Sequence, residues 1–174
     1  MEESPVKNLS IPLERDIFFR KLIRELARTL EDVVGYHETM GYISLVGQKM
    51  GEWINELYTT GLGVKRLSQE QVGEVLVDLK KRIYGEFALE AYSDQKMILS
   101  NKSCPFGDQV VGCPSMCMMT SNVFGYITAK NLGYAKVCLD KTIARGDPNC
   151  HITVFTKLTP ECEEAKGREY FGDV

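Results

Sequence analysis

The chain has 174 residues, of which 44% are apolar and 26% are charged, and its net charge is −3. This composition is that of a folded globular domain rather than a disordered chain. The negative net charge, without a basic stripe, argues against nucleic-acid binding, and no apolar run approaches the roughly 18 residues that a membrane helix needs.

The N-terminus and the cysteine content indicate the compartment. The chain begins Met-Glu-Glu-Ser-Pro, which is acidic, whereas a secretory signal starts with basic residues and continues with apolar ones. We therefore expect a cytoplasmic protein. Cytoplasmic thiols are kept reduced, so we expect the six cysteines to be free or metal-bound rather than joined in disulfides.

The first half of the chain has helical periodicity. Apolar residues recur at helical spacing over 17–30, between Pro12 and Gly35, and predict a first helix. A second helix is predicted over about 36–59. The apolar residues expected on its inner side are Ile43, Val46, Met50, Trp53, Ile54 and Leu57.

Three glycines inside the second predicted helix, at positions 41, 47 and 51, suggest that another backbone or a ligand approaches it closely. A third helix is predicted to open with a capping box formed by Ser68 and Gln71. Its expected buried stripe consists of Val72, Val75, Leu76, Leu79 and Ile83.

The second half of the chain alternates between strand and helix patterns. The predicted elements are a hairpin over 87–100, a cysteine-rich loop over 103–114, a helix over about 115–132, and strands over 134–141 and 150–158. Ser115 is expected to cap the helix and Gly133 to end it. The fold class is therefore α+β, with N-terminal helices packed on a four-stranded, mainly antiparallel sheet in a β-β-α-β-β unit. We expect one domain over 1–174, loosely held after about 160.

The cysteines are the strongest chemical signal in the sequence. They lie at 104, 113, 117, 138, 150 and 162. Cys104, Cys113 and Cys117 share one loop and the start of the next helix, and a strand–turn–strand connection can return Cys150 to that loop. Four thiolates satisfy the tetrahedral preference of zinc, and the neighbouring Cys-Pro pairs also occur around iron–sulfur clusters. We predict a metal site at these four residues; the alternative is a set of buried thiols.

Other titratable residues are weaker candidates. A helix N-terminus is expected to favour the thiolate of Cys117 and so lower its pKa. Cys138 and Cys162 are interpreted as buried thiols. His151 adjoins Cys150 but should point to the opposite face of its strand. The two histidines and Asp140 are otherwise interpreted as surface or packing residues, with His151 and Asp140 kept as possible fourth ligands. His37 is the other histidine.

The fourth predicted helix has an adaptable apolar surface, formed by Met116, Met118, Met119, Phe124, Tyr126 and Ile127. Together with the glycine-marked second helix, this surface could line a small-molecule pocket. Core packing or a dimer face is the alternative interpretation.

Several segments resemble a known family. They are Cys104-Pro-Phe-Gly107, Pro114-Ser-Met-Cys-Met-Met-Thr120, Gly133-Tyr-Ala-Lys-Val137 and Ile143-Ala-Arg-Gly-Asp-Pro-Asn-Cys150, with weaker support from 15–20 and 77–82. These segments resemble the methanogen-output-type domain of signal-transduction proteins, over nearly the whole chain. More distantly, the chain is similar to the vinyl-4-reductase-type ligand-binding domain.

The distant resemblance implies a fold of the kind seen in vesicle-tethering subunits, commonly dimeric, that binds small ligands or zinc. Its phenol-sensing members hold the metal with three cysteines and a glutamate. Cys117 and Cys150 match that pattern, whereas Leu139 and Thr142 stand where the family has its glutamate and another cysteine. Asp140 is one residue away. The resemblance therefore implies a different ligand set, which the remaining loop cysteines would complete.

We therefore expect a non-enzymatic sensory or regulatory domain in signal transduction, with zinc or, alternatively, an iron–sulfur cluster that would make it a redox sensor. The expected partners are a second copy of the chain and either a regulatory protein or a small-molecule ligand, but neither nucleic acid nor membrane. Two alternatives remain. One is an enzyme acting on a small aromatic or tetrapyrrole-like substrate, and the other is a dimerisation scaffold with buried thiols.

Overall fold

The computed structural model describes residue 6 and residues 9–172; the acidic segment at 1–5 lies outside this part of the chain. The helices are α1 (Arg15–Val34), α2 (Tyr36–Leu62), α3 (Gln69–Arg82), α4 (Cys117–Leu132) and α5 (Pro160–Glu164). The strands are β1 (Phe87–Tyr92), β2 (Lys96–Asn101), β3 (Tyr134–Lys141), β4 (Cys150–Phe155) and β5 (Arg168–Phe171). Short 3₁₀ turns lie at Gly107–Val110, Pro114–Met116 and Ile143–Arg145.

In the described part of the chain, five strands form one antiparallel sheet in the order β1-β2-β4-β3-β5. The α+β class is confirmed, but the sheet has five strands where the sequence predicted four. The difference is the segment after 160, which is not loosely held. Thr159 accepts a hydrogen bond from the amide of Cys162 at 3.1 Å and caps α5, and β5 pairs with β3. This edge strand is short and mostly exposed, so its sequence has no apolar alternation to detect.

The predicted capping box and buried stripe of α3 are confirmed. Ser68 Oγ accepts from the amide of Gln71 at 3.2 Å, and Gln71 Oε1 accepts from the amide of Ser68 at 2.9 Å. Only Ile83 is exposed, because the helix ends at Arg82. The stripe packs with α4 and one face of the sheet to form the main core. That core includes Val72, Leu76, Met97, Leu99, Phe124, Ile127, Val137, Ile152 and Val154.

The apolar residues of α1 and α2 behave differently. The inner side that the sequence predicted for α2 is wrong for most of its members, because they face away from the core. In α1 only Ala27 is buried. The exposed large apolar residues of the two helices are Ile17, Phe18, Phe19, Leu22, Ile23, Leu26, Val33, Val34, Tyr36, Tyr42, Leu45, Val46, Met50, Trp53, Leu57 and Leu62. We call this set the α1–α2 apolar face.

Instead, α2 packs on α4 through its small residues. A Cβ added at Gly47 would lie 2.8 Å from Asn122 Cβ, and one added at Gly51 would lie 2.9 Å from Tyr126 Cβ. The close approach predicted from the glycines is therefore confirmed at these two positions. Gly41 has no atom within 4 Å of such a Cβ, so the prediction is wrong there.

The start and end of α4 are set by local geometry. Gly133 adopts a left-handed conformation with φ 90° and ends the helix, as predicted. The start is different from the prediction, because a 3₁₀ turn precedes α4 and its N-cap is Met116, without a side-chain cap. Ser115 is buried in that turn and does not cap the helix. Across the described residues, no helix has both the length and the apolar character of a membrane span.

Candidate functional site

The sheet register brings distant cysteines together. The last residue of β2, Asn101, pairs with Cys150, the first residue of β4. The loop that leaves β2 therefore begins beside Cys150, and Cys104 lies in that loop. The same loop leads into α4, whose first residue is Cys117. The convergence predicted for these three cysteines thus follows from one antiparallel strand pair and one loop.

Cys104, Cys117 and Cys150 all line a single small cavity. The other lining residues are Phe87, Asn101, Pro105, Phe106, Val110, Met116, Thr120, Leu139, Thr142 and Ile152. The cavity volume is about 30 Å³. A water needs roughly 10–15 Å³ of such space, so the cavity has room for about two or three waters, or for an ion with one water-sized ligand. Phenol-sized molecules are too large for it in this conformation.

Cys113, the fourth predicted ligand, does not line this cavity. It is fully buried in a neighbouring apolar cluster with Ala27 of α1. Its thiol lies 4.0 Å from Glu31 Oε1, to which it donates, and 3.6 Å from Ser115 Oγ. Cys104 and Cys117 pack against the same apolar cluster, but they line the cavity and Cys113 does not.

The cavity provides donors suitable for a metal, but not in final coordinating geometry. Within the described residues, no three Cys, His, Asp or Glu side chains are already placed to hold an ion. Three thiols bordering one ion-sized space are nevertheless the donor type that zinc and other thiophilic ions prefer. Thr142 supplies a second sign that a polar group belongs here. It is buried in the wall, where its hydroxyl interacts with the thiol of Cys117 but makes no hydrogen bond of normal geometry.

Burial controls the chemistry of the thiols. It raises the pKa of Cys117 to about 12, and the neighbouring Cys150 and Cys104 raise it further in the same direction. Burial likewise raises the pKa of Cys104. The prediction that a helix N-terminus lowers the pKa of Cys117 is therefore wrong, since desolvation outweighs the dipole. Without a metal the two thiols are protonated, and metal binding would displace their protons.

The electrostatic partner of the three cysteines is Lys80, which sequence reasoning missed. Its side chain is buried on α3 and its Nζ donates to Thr120 Oγ1 at 2.8 Å. Burial lowers its pKa to about 8, against the opposing influence of Cys104, Cys117 and Cys150. A signal was present in the sequence, because Lys80 follows Leu76 by four residues and so continues the buried stripe of α3.

The remaining candidates lie away from the cavity. Cys138 and Cys162 are buried together in a small apolar cluster with Phe155. His151 Nδ1 lies 3.1 Å from Asp140 Oδ2, to which Thr153 also donates at 2.8 Å. This triplet lies on the sheet face opposite Cys150, so neither the histidine nor the aspartate reaches the three cysteines.

His37 lies near the start of α2, exposed and in edge contact with the ring of Tyr36. A larger cleft of about 410 Å³ lies between α2, α4 and β5. Its lining residues are Gln48, Glu52, Asn122, Tyr126, Ala129, Lys130, Tyr170, Phe171 and Gly172. Of the fourth-helix residues expected to line a small-molecule pocket, Tyr126 alone lines this cleft, and most of the other lining side chains are polar. The small-molecule pocket stays a prediction.

Comparison with known proteins identifies the family. The sequence model described as methanogen output domain 1 matches residues 22–155, which is most of the chain and includes all the cysteines that line the cavity. The chain belongs to the methanogen output domain 1 family. The resemblance expected from the sequence segments is thereby confirmed. No curated protein gives a significant match.

Two solved structures show that this methanogen output domain shares its fold with other proteins. One is the phenol-responsive sensory domain of the transcription activator PoxR with phenol, at a TM-score of 0.63 and 15% identity, covering 84% of this chain and 76% of that chain. The other is a trafficking protein particle complex subunit 3 from Naegleria fowleri covalently bound to palmitic acid. Its TM-score is 0.56 at 12% identity, covering 90% of this chain and 99% of that chain.

Proposed function

We propose that this methanogen output domain is a non-enzymatic sensory or regulatory domain that binds one zinc ion through Cys104, Cys117 and Cys150. The observation that carries the proposal is that these three thiols, from a loop, a helix start and a strand start, line one ion-sized cavity. The output-domain family and the fold shared with a phenol-responsive sensory domain support the sensory role.

The number of thiols at the cavity favours a single ion over the alternative iron–sulfur cluster. Three cysteines line it, whereas an iron–sulfur cluster is usually held by four. Zinc would neutralise the negative charge of the thiolates and link the loop to α4 and β4. Part of the free energy of zinc binding would therefore stabilise the folded domain. The ligand that the domain senses, and any cytoplasmic regulatory protein that it contacts, remain predictions.

Elemental analysis of anaerobically purified protein, combined with an absorption spectrum, tests the metal proposal. We expect about one zinc per chain and a colourless solution. The variant Cys104→Ser/Cys117→Ser/Cys150→Ser should lose the zinc, whereas the control Cys138→Ser, another buried cysteine, should retain it. If the protein is brown and contains iron and sulfide, the site holds an iron–sulfur cluster and the zinc proposal is wrong. If the wild-type protein contains no metal, the metal proposal as a whole is wrong.

A route from the site to a partner begins at α1. Arg24 donates to the carbonyl oxygens of Gln109 and, at 2.9 Å, of Val111, and Glu31 accepts from Cys113. Helix α1 therefore holds the cysteine-bearing loop with polar side chains and carries exposed apolar residues on its other side. We propose that a change at the metal site moves this loop and, through α1, alters the α1–α2 apolar face.

A second copy of the chain is the proposed occupant of that face. Helices of 20 and 27 residues are about 30 and 40 Å long at 1.5 Å per residue, and two adjacent helices are roughly 20 Å wide. The resulting area, on the order of 600–800 Å² per chain, is what a standard stable interface buries on each partner. A symmetric pair would cover the same apolar face on both copies.

Light scattering after size exclusion tests the homodimer with a matched pair of substitutions. Leu45 on α2 and Leu158 after β4 are both 61% exposed. Leu45→Glu should shift the mass from dimer to monomer, because it places a charge in the proposed interface, whereas Leu158→Glu should leave the dimer intact. A monomeric wild-type protein, or equal effects of the two variants, would contradict the proposal.

A further inference from the structure

The buried ammonium of Lys80 lies next to residues that line the cysteine cavity. The side chain of Lys80 is 4% exposed, and its Nζ lies 5.3 Å from the ring centroids of both Phe87 and Phe124. It reaches the wall through Phe87 and through Thr120, both of which line the cavity. Among the described residues, no carboxylate forms an ion pair with this ammonium.

A buried ammonium without a counter-charge is unfavourable, since it has lost its hydration and gained no anion. Cys104, Cys117 and Cys150 are close enough to Lys80 to act on its charge, in addition to the two rings and Thr120. Metal binding would convert these thiols into thiolates. Metal binding would therefore create negatively charged thiolates next to the ammonium of Lys80, which otherwise has no anionic partner among the described residues.

Charge balance then limits the number of thiolates. A divalent ion with three thiolates has a net charge of −1, which one ammonium neutralises, whereas a fourth thiolate would leave an excess negative charge in an apolar site. We propose that Lys80 is the charge partner of a three-thiolate metal centre whose fourth position is open to a neutral, water-sized ligand. This inference rests on the proposed function and deepens it.

The cavity wall supports an open fourth position. Thr142 is buried there beside the thiol of Cys117, and its hydroxyl, which makes no hydrogen bond of normal geometry, would bond to a metal-bound water or similar molecule. The cavity volume of about 30 Å³ is sufficient for an ion and a ligand of that size. Cys113, the other candidate fourth ligand, does not line the cavity, and its thiol donates to Glu31 of α1. Metal sites with three protein ligands exchange their fourth ligand, whereas closed four-ligand sites are structural.

Zinc-edge X-ray absorption of the zinc-loaded wild-type protein tests the coordination directly. We expect three sulfur atoms at about 2.3 Å and one oxygen or nitrogen atom at about 2.0–2.2 Å. Four sulfur atoms would overturn the inference while leaving the proposed zinc site in place. A wild-type protein that binds no zinc would overturn both.

Zinc affinity, measured by competition with a chromophoric chelator, tests Lys80 itself. Lys80→Met should weaken zinc binding about 10- to 100-fold, the usual effect of removing a residue that supports metal ligands, and Lys80→Arg should restore most of it. In metal-free protein Lys80→Met should raise the melting temperature, because a buried charge has been removed. A purely structural role predicts the opposite shift.

The control is Lys136→Met, which removes another buried lysine. Lys136 Nζ donates to the carbonyl oxygen of Cys162 at 2.7 Å, on the far side of β3 from the cavity. This variant should be less stable but should bind zinc like the wild type. Equal zinc affinity in Lys80→Met and the wild type, or an equal loss in Lys136→Met, would overturn the inference.

Discussion

Helices α1 and α3 have similar apolar periodicity, but they use it differently. The stripe of α3 lies in the main core against the sheet and α4, whereas the apolar residues of α1 and much of α2 face outward. Periodicity therefore predicts that a helix has an apolar face, but not what covers it. In this domain one face is covered by the chain itself, and we propose that the other is covered by a second copy.

The largest expected effect separates the two faces directly. Leu76→Ala in α3 removes a fully buried side chain and should lower the free energy of unfolding by about 2–5 kcal/mol. Leu26→Ala in α1 should change it by no more than about 0.5 kcal/mol when both are measured by urea denaturation in the monomeric Leu45→Glu background. A large loss for Leu26→Ala would mean that the chain covers α1 itself.

A smaller change in the free energy of unfolding is expected at the contact between α2 and α4, where α2 packs through its small residues. Gly47→Ala would place a Cβ 2.8 Å from Asn122 Cβ and 3.2 Å from the carbonyl oxygen of Met119, so α2 must move away from α4. We expect a loss of about 1–3 kcal/mol in unfolding free energy. The control Gly41→Ala has open space and should gain up to about 1 kcal/mol in thermal denaturation, since alanine favours helices. Equal effects would contradict the close packing.

The smallest expected effect is pH-dependent and lies where α2 meets α3. Asp78 accepts hydrogen bonds from Tyr58 and Arg82, both at 2.6 Å, and these bonds lower its pKa below the usual 3.8. A lowered carboxyl pKa stabilises the fold above pH 4, and this contribution is lost as the pH falls through the folded-state pKa.

Asp78→Asn should therefore cost about 0.5–1 kcal/mol at pH 7, since the group is partly exposed, and less at pH 3. Urea titrations at both pH values measure the difference. Asp94→Asn, which breaks an exposed pair with Lys157, is the control and should have almost no effect. A loss for Asp78→Asn that is independent of pH would contradict the assignment.

Local signals in the sequence predicted most of the fold. The capping box at Ser68 and the terminating Gly133 each depend on neighbouring residues, and both are confirmed. The strand predicted over 134–141 is present as β3, but its predicted alternation is wrong, because Lys136 and Cys138 are buried as well as Ala135 and Val137. The fifth strand was missed because its pairing with β3 is a long-range contact of a polar segment. The capping role of Ser115 was wrong because the chain enters α4 through a 3₁₀ turn, in which Ser115 is buried.

The sequence predicted three of the cysteines at the candidate site, but neither the position of Cys113 nor the charged residue Lys80. The order of strands and loops is enough to bring Cys104, Cys117 and Cys150 together, and the structure places them around one cavity. The orientation of Cys113 toward α1 depends on side-chain packing that spacing does not encode. Lys80 enters the site from α3, and only the tertiary fold shows that a charged residue on a buried stripe stands next to the cysteines.

Native mass spectrometry of two single-cysteine variants tests the three-cysteine metal site most directly. Cys113 and Cys117 lie four residues apart in the chain, yet only Cys117 lines the cavity. We expect the wild type and Cys113→Ser to carry the mass of one zinc ion per chain and Cys117→Ser to carry none. Loss of zinc from Cys113→Ser, or its retention in Cys117→Ser, would contradict the account.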